Sequence, residues 1–218
     1  MDYDLDEINN NNNIGITALL EDTVRQKKLE QITSLKLQVP MTVNRLCMLS
    51  TYVPNLIELD LTDSYLSSFR DFAFKLNNLK ILRVASCNLK SLDGIWNVPN
   101  IEELYAPDND LSDILLCSAL SKLVVLDLTR NKIINLLKLH FLNFCKELHT
   151  LTLTGCPVTK IENFEKRVFE ILPHIKELNG NQLTEPLKIE DHTSATIDMV
   201  VCGNITAALR SKKKNNFS

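Results

Sequence analysis

The side chains in this sequence that could do bond-making chemistry are its four histidines, six cysteines and scattered carboxylates. The histidines are His140, His149, His174 and His192, and the cysteines are Cys47, Cys87, Cys117, Cys145, Cys156 and Cys202. A metal or nucleophilic centre needs several such groups to converge, and short fixed spacings are what reveal it in a sequence. No cysteine stands in a Cys-x-x-Cys pair, the histidines are scattered, and no ligand set surrounds His149. With 5 glycines in 218 residues there is no glycine-rich phosphate loop, and no nucleophile elbow or dinucleotide fingerprint is present. The reading is of a protein that is not an enzyme, holds no metal or cofactor, and keeps its thiols as small buried hydrophobes in a reducing compartment.

The chemistry that remains is hydrogen bonding. In "VVLDLTRNKIINL", residues 124–136, a lone Asn131 sits in a run that reads as buried hydrocarbon. Burying an unpartnered amide costs roughly 2–7 kcal/mol, so the fold must supply partners. Asn131 also has equivalents. Ser64, Cys87, Asn109, Asn131 and Cys156 each lie five residues after a leucine in an L-x-x-L-x-L pattern. All five are small and can hydrogen-bond, which predicts that each satisfies backbone groups where a strand turns.

The elements that would position them are repeats. The pattern occurs as "ITSLKL", "LIELDL", "LKILRV", "IEELYA", "LVVLDL" and "LHTLTL", with an incomplete seventh copy, "IKELNG". The central residues are Leu35, Leu59, Leu82, Leu104, Leu126, Leu151 and Leu178, separated by 24, 23, 22, 22, 25 and 27 residues. A period in the twenties with this consensus is the signature of leucine-rich repeats. Leu66, Leu89, Leu111, Ile133 and Val158 keep the same phase, as do Phe69, Leu92, Ile114, Leu136 and Ile161. The predicted fold is α/β: a right-handed solenoid with a parallel concave sheet, six repeats and a capping unit. Its stability accumulates through interfaces between neighbours. The longer return "NLLKLHFLNFCKELHT" is expected to carry a proper helix, and Trp96, on the convex return, is expected in the core.

Residues 1–15 read as a disordered Asn-rich start, and 16–184 as the repeat domain with its caps. Within that domain, 16–31 has helical spacing suited to an N-terminal cap. "FEKRVFEIL" reads as a cap helix ending before Pro173, with "HIKELNG" as a last strand. Residues 185–209 read as a linker and helix, and 210–218 as a solvated basic tail. The net charge of −3 favours neither a nucleic-acid clamp nor a membrane-surface binder. No apolar run approaches the roughly 18–20 residues of a membrane span, and the acidic start "MDYDLDEINNNNN" lacks the form of a secretory signal, which predicts an intracellular protein.

The candidate site is the concave sheet, where equivalent positions stack about 4.8 Å apart. Before each central leucine come Ser34, Glu58, Ile81, Glu103, Val125 and Thr150; after it come Lys36, Asp60, Arg83, Tyr105, Asp127 and Thr152. Asp60 falls between Lys36 and Arg83, so charges alternate, while Ile81, Tyr105 and Val125 form an apolar centre. Two readings fit. One is a charge ladder that keeps the sheet soluble. The other is a protein-binding patch made of Glu58, Asp60, Ile81, Arg83, Glu103, Tyr105, Val125 and Asp127.

One stretch says more. Cys87, Leu89 and Leu92–Ile95, followed by Pro99–Ala106, Asn109 and Leu111–Asp113, give C-x-L-x-x-L-D-G-I then P-x-I-x-E-L-Y-A-x-x-N-x-L-S-D. This blend, across roughly residues 16–184, resembles the leucine-rich repeat-containing protein 56 family. The resemblance implies a protein-binding adaptor in assembly or intraflagellar transport of outer dynein arms, in the cytoplasm and the cilium or flagellum. Its partners would be dynein-arm components or intraflagellar transport proteins, with no nucleic acid, membrane or small-molecule substrate. The chain departs from that family in a compressed join, "VTKIENFEKRV", between the last full repeat and the cap helix, and in stopping soon after the cap, where longer members continue. Two other functions fit a short repeat protein: the regulatory subunit of a phosphatase, or a component of a ribonucleoprotein, to which the cap also bears a resemblance.

Overall fold

Seven central leucines stand side by side in the computed structural model, which describes residues 29–39, 49–66, 68–71 and 75–182. Each is on a short strand: β1 Ser34–Lys36, β2 Glu58–Asp60, β3 Ile81–Arg83, β4 Glu103–Tyr105, β5 Val125–Asp127, β6 Thr150–Thr152 and β7 Glu177–Leu178, with β8 Asn181–Gln182 following. The sheet runs in chain order from β1 to β8. Strands β1 to β7 are parallel, and their register pairs Leu35, Leu59, Leu82, Leu104, Leu126, Leu151 and Leu178 in sequence. The chain divides into residues 1–184 and 185–218, and all the described residues belong to the first unit. The expected 1–15 segment, most of the 16–31 cap, the 185–209 helix and the basic tail lie outside the described residues. Of the N-terminal cap, Leu29–Gln31 is described, as one 3₁₀ turn.

Why the sheet is parallel follows from the repeat. Each strand must return to the same edge, so the remainder of each unit crosses over the convex side. The buried residues of that return recur every third position: Leu92, Ile95, Val98; Ile114, Cys117, Leu120; Leu136, Leu139, Leu142, Cys145. A period of three matches the 3₁₀ helix, in which side chains i and i+3 eclipse. The returns are accordingly 3₁₀ segments at Ile95–Asn97, Leu115–Ala119 and Leu136–Phe144. This corrects the expectation of a proper helix in the long unit: its nine residues are 3₁₀, capped where Asn135 Oδ1 accepts the Leu137 N–H at 2.9 Å. The described α-helices are α1, Leu49–Tyr52, and α2, Phe164–Ile171. Helix α2 ends before Pro173 as the sequence implies, because the proline disfavours a helical residue ahead of it.

Trp96 also departs from expectation. It is 43 % exposed, on the solvent side of its 3₁₀ turn, with Ile95 taking the core position instead. The Arg70 guanidinium covers its ring at 5.4 Å.

The polar ladder has the partners that Asn131 demanded. Each member reaches back one repeat to the carbonyl two residues beyond the central leucine: Ser64 to Leu37, Cys87 to Leu61, Asn109 to Val84, Asn131 to Ala106 and Cys156 to Leu128, at 2.8–3.4 Å. The two asparagines also accept. Asn109 Oδ1 takes the N–H groups of Cys87 and Leu89, and Asn131 Oδ1 takes that of Leu111. A second ladder, unread in the sequence, runs along the entry turns, where the amides of Asn55, Asn78 and Asn100 donate to Glu30, Pro54 and Asn77 carbonyls at 2.8–3.1 Å. Its signal was an asparagine directly before Leu56, Leu79 and Ile101.

Two features end the stack. Asn179 Oδ1 accepts the Leu153 N–H at 2.7 Å, tying the last unit to its predecessor from a different position than the ladder's. Asn179 and Gly180, both at positive φ, turn the chain so that β8 pairs antiparallel with β7. Asn-Gly is a strong hairpin signal that lay legible in "IKELNGNQ".

Candidate protein-binding face

Strand alternation sets the face. In β2 to β6 the central leucine is buried while the residues on either side are half-exposed. All eight candidate residues, Glu58, Asp60, Ile81, Arg83, Glu103, Tyr105, Val125 and Asp127, therefore lie on one side of four consecutive strands. The pairs Glu58–Ile81, Ile81–Glu103 and Glu103–Val125 are in register, as are Asp60–Arg83, Arg83–Tyr105 and Tyr105–Asp127.

Their contacts differ from simple alternation of charge. Lys36 pairs with Asp60 at 3.1 Å. Arg83 does not complete that row; its Nε donates to Glu58 Oε1 at 3.2 Å, diagonally across β2. Asp60 is already engaged, since Oδ1 accepts the Thr62 N–H at 2.9 Å. Burial works against ionisation of Asp60, but Thr62 and the Lys36 ammonium outweigh it and hold the carboxyl below the usual carboxylate range. Asp127 folds back in the same way, accepting from the Thr129 amide at 2.8 Å and hydroxyl at 2.6 Å. The tripeptide Asp-Leu-Thr, present at 60–62 and 127–129, thus fixes each carboxylate locally.

A continuous chain of contacts crosses β1 to β4. The Ser34 hydroxyl donates to Glu58 at 3.1 Å, Glu58 holds Arg83, the Arg83 guanidinium lies 4.2 Å from the centre of the Tyr105 ring, and the Tyr105 hydroxyl donates to Glu103 Oε2 at 2.8 Å. Burial first, and then the Glu103 carboxylate, push the Tyr105 phenol above its ordinary value; it is a donor at every physiological pH. Ile81 and Val125 flank this chain, half-exposed. Ile57, directly before β2, is an exposed large hydrophobic residue.

Elsewhere the described thiols and the His149 backbone serve the stack. Cys87, Cys117, Cys145 and Cys156 are buried free thiols; Cys47, Cys202 and His192 lie outside the described residues. His149 leads into β6, where its carbonyl accepts the N–H groups of Lys176 and Glu177. Among the described residues no three His, Cys, Asp or Glu side chains converge as a metal site, and no helix is long and apolar enough to cross a membrane. What this face can do is present an ordered surface of mixed charge and hydrocarbon to another polypeptide.

Comparison with known proteins agrees with the geometry. The leucine rich repeat family model matches residues 54–111. Leucine-rich repeat-containing protein 56 of Homo sapiens is 33 % identical over 174 residues, covering 74 % of this chain and 32 % of the human protein. The homolog of that protein in Trypanosoma brucei brucei is 31 % identical over 169 residues, covering 75 % of this chain and 22 % of its own length. The chain thus spans a third or less of these relatives. Among solved structures, a leucine-rich-repeat protein of Leptospira interrogans superposes with a TM-score of 0.57 at 24 % identity, covering 69 % of this chain and 37 % of that one; it shares the fold.

Proposed function

Because this chain belongs, through its repeat domain, to the leucine-rich repeat-containing protein 56 family, we propose that it is a non-catalytic adaptor in the assembly or intraflagellar transport of outer dynein arms. It holds a dynein-arm or transport protein on its concave sheet, in the cytoplasm and the cilium or flagellum. The binding part of this reading rests on one observation: the Glu58–Arg83–Tyr105–Glu103 chain of contacts beside half-exposed Ile81 and Val125. An aromatic and aliphatic centre with a charged rim is the composition of an interaction hot spot. Side chains that already hold one another lose little freedom when a partner arrives. The ciliary part is supported by membership of the family alone.

Two experiments separate the parts. Tyr105→Ala combined with Val125→Ser should abolish partner capture while leaving the thermal midpoint nearly unchanged, since both side chains point away from the core; intact pull-down rules out the concave face. Tagging and imaging the protein should give axonemal or basal-body signal, with loss of outer arms on deletion. Nuclear signal with an RNA-binding partner, or co-purification with a phosphatase catalytic subunit, overturns the ciliary reading.

A further inference from the structure

The pairing pattern on this face says what kind of segment it takes, an inference that rests on the binding role just proposed. Counting the residues that flank the central leucines of β1 to β6, the cations are Lys36 and Arg83 and the anions are Glu58, Asp60, Glu103 and Asp127. Both cations are spoken for, Lys36 by Asp60 and Arg83 by Glu58. Glu103 and Asp127 are hydrogen-bonded by neutral groups: the Tyr105 hydroxyl for one, the Thr129 amide and hydroxyl for the other. Arg130 also lies close enough to Asp127 to feel its charge, but its guanidinium is paired with Asp108. The negative charge left over is therefore localised on β4 and β5.

Its geometry is specific. Tyr105 pairs with Asp127 and Glu103 with Val125, so the two carboxylates sit on a diagonal, with the Tyr105 ring and the Val125 methyl groups filling the other two corners. Two residues along a strand and one strand across make that diagonal about 8 Å. An extended peptide places its residues i and i+2 on one side at about 6.6–7 Å, close to this separation. The stem of a lysine or arginine would lie on Val125 or Tyr105 while its head reaches a carboxylate.

We propose that β4 and β5 receive an extended polypeptide segment with basic residues at alternate positions, one facing Glu103 and the next but one facing Asp127. The cation–ring contact is already made by Arg83, so the incoming charges are directed to the carboxylates. Arg83, held by Glu58, also guards the β3 side and sets the limit of the basic segment.

Fluorescence anisotropy with the full chain tests this, using three labelled octapeptides: alternating Lys and Thr, four Lys followed by four Thr, and alternating Glu and Thr. The alternating lysine peptide should bind roughly fivefold or more tighter than the blocked one of equal charge, as aligned charge pairs differ from diffuse attraction. The glutamate peptide should not bind. Glu103→Gln with Asp127→Asn should erase the difference between the two lysine peptides, whereas Glu147→Gln with Glu170→Gln should keep it. Equal affinity of the two lysine peptides for the native chain overturns the proposal, as does binding of the glutamate peptide. So does a preference that emerges only after Lys212, Lys213 and Lys214 are changed to Gln, since the occupant is then this chain's own basic segment. Failure here with loss of partner capture in the Tyr105→Ala, Val125→Ser variant leaves the concave face standing and removes only its basic ligand; retained capture in that variant removes the face itself.

Discussion

Asn109 and Asn131 hold the same place in the repeat consensus, yet the structure predicts that losing them costs different amounts. In Asn109→Ala, three buried backbone groups lose their recorded partner. The Cys87 and Leu89 N–H groups lose Asn109 Oδ1, and the Val84 carbonyl loses Asn109 Nδ2. The Ala106 and Pro107 carbonyls, which Nδ2 also reaches, keep Asn131 Nδ2 and the Ser86 N–H. In Asn131→Ala only the Leu111 N–H is stranded. The carbonyls of Ala106, Leu128 and Thr129 retain the Asn109 amide, the Cys156 thiol and the Asp108 N–H. At roughly 1–2 kcal/mol for each stranded group, Asn109→Ala should cost about 3–6 kcal/mol and Asn131→Ala about 1–2 kcal/mol. Against a total stability of about 5–15 kcal/mol, the first change is severe and the second moderate. Guanidinium denaturation followed by circular dichroism measures both, through the midpoint at constant slope. Asn109→Cys should fall between them, because a thiol here can donate to the Val84 carbonyl as Cys87 does to Leu61 at 3.0 Å. Equal losses for the two alanine variants, or a loss below about 1 kcal/mol for Asn109→Ala, would refute the claim that the ladder acts through the particular backbone groups it satisfies.

Other outcomes follow from the same coordinates. Gly94→Ala should lower stability by about 2–4 kcal/mol in the same denaturation assay: Gly94 has φ +91°, and an added Cβ would meet the Arg70 backbone nitrogen at 2.6 Å. Gly155→Ala should cost less, about 1–2 kcal/mol, because at φ +78° its Cβ would crowd a side-chain atom, Arg130 Cγ at 2.8 Å, while the nearest backbone atom stands off at 3.5 Å. His174 has a buried, unpartnered Nε2, and burial, with Lys146 and His149 nearby, pushes its pKa below the ordinary value. The unfolded chain then binds the proton more readily, so this contribution is intact above the unfolded pKa of about 6.5 and is lost as pH falls through the folded pKa. Thermal midpoints measured between pH 7.5 and 5 should show that loss, and His174→Gln should reduce it. Burial pushes the Cys87 and Cys145 thiols up to about 11, and raises Cys117 further with help from Cys145 and Asp113; iodoacetamide at pH 8 should leave all three unmodified in the native protein and label them after denaturation, read by peptide mass mapping.

The sequence discloses whatever the repeat forces and conceals whatever a free side chain chooses. The register of seven leucines was legible because a one-residue slip would turn every leucine outward. The polar ladder was legible because a buried amide in hydrocarbon needs a reason. The 3₁₀ returns were present as the three-residue spacing of Leu136, Leu139 and Leu142, but that pattern also satisfies a loose helical reading, and the choice depends on how much length each unit has to span. Trp96 was misplaced because its neighbour Ile95 competes for the same core position and fits it better; the indole is left outside under Arg70. On the concave face the sequence located the eight residues but not their partners. Arg83 has three candidates within reach, Asp60, Glu58 and Tyr105, and its selection of the latter two follows from Thr62 and Lys36 having already engaged Asp60.

That division bears on how such a face comes to bind. Along each strand one residue in three points inward, and the six inward leucines of β1 to β6 are interchangeable in what they do: each buries hydrocarbon against its neighbours for about 1.5–3 kcal/mol. The outward residues take no part in that packing, so their identities are free to be set by a ligand. Yet on β2 to β4 they are not loose. Glu58, Arg83, Tyr105 and Glu103 hold one another across three strands, and Asp60 and Asp127 are each pinned by the threonine two residues on. An arrangement that existed only for solubility would need charge, and exposed pairs of this sort contribute roughly 0–1 kcal/mol to stability; it would not need half-exposed Ile81 and Val125 beside a tyrosine ring, which water disfavours. The small folding gain and the retained hydrocarbon point the same way. In the proposed reading this surface is ordered in advance for contact, and its remaining negative charge on β4 and β5 selects what makes that contact.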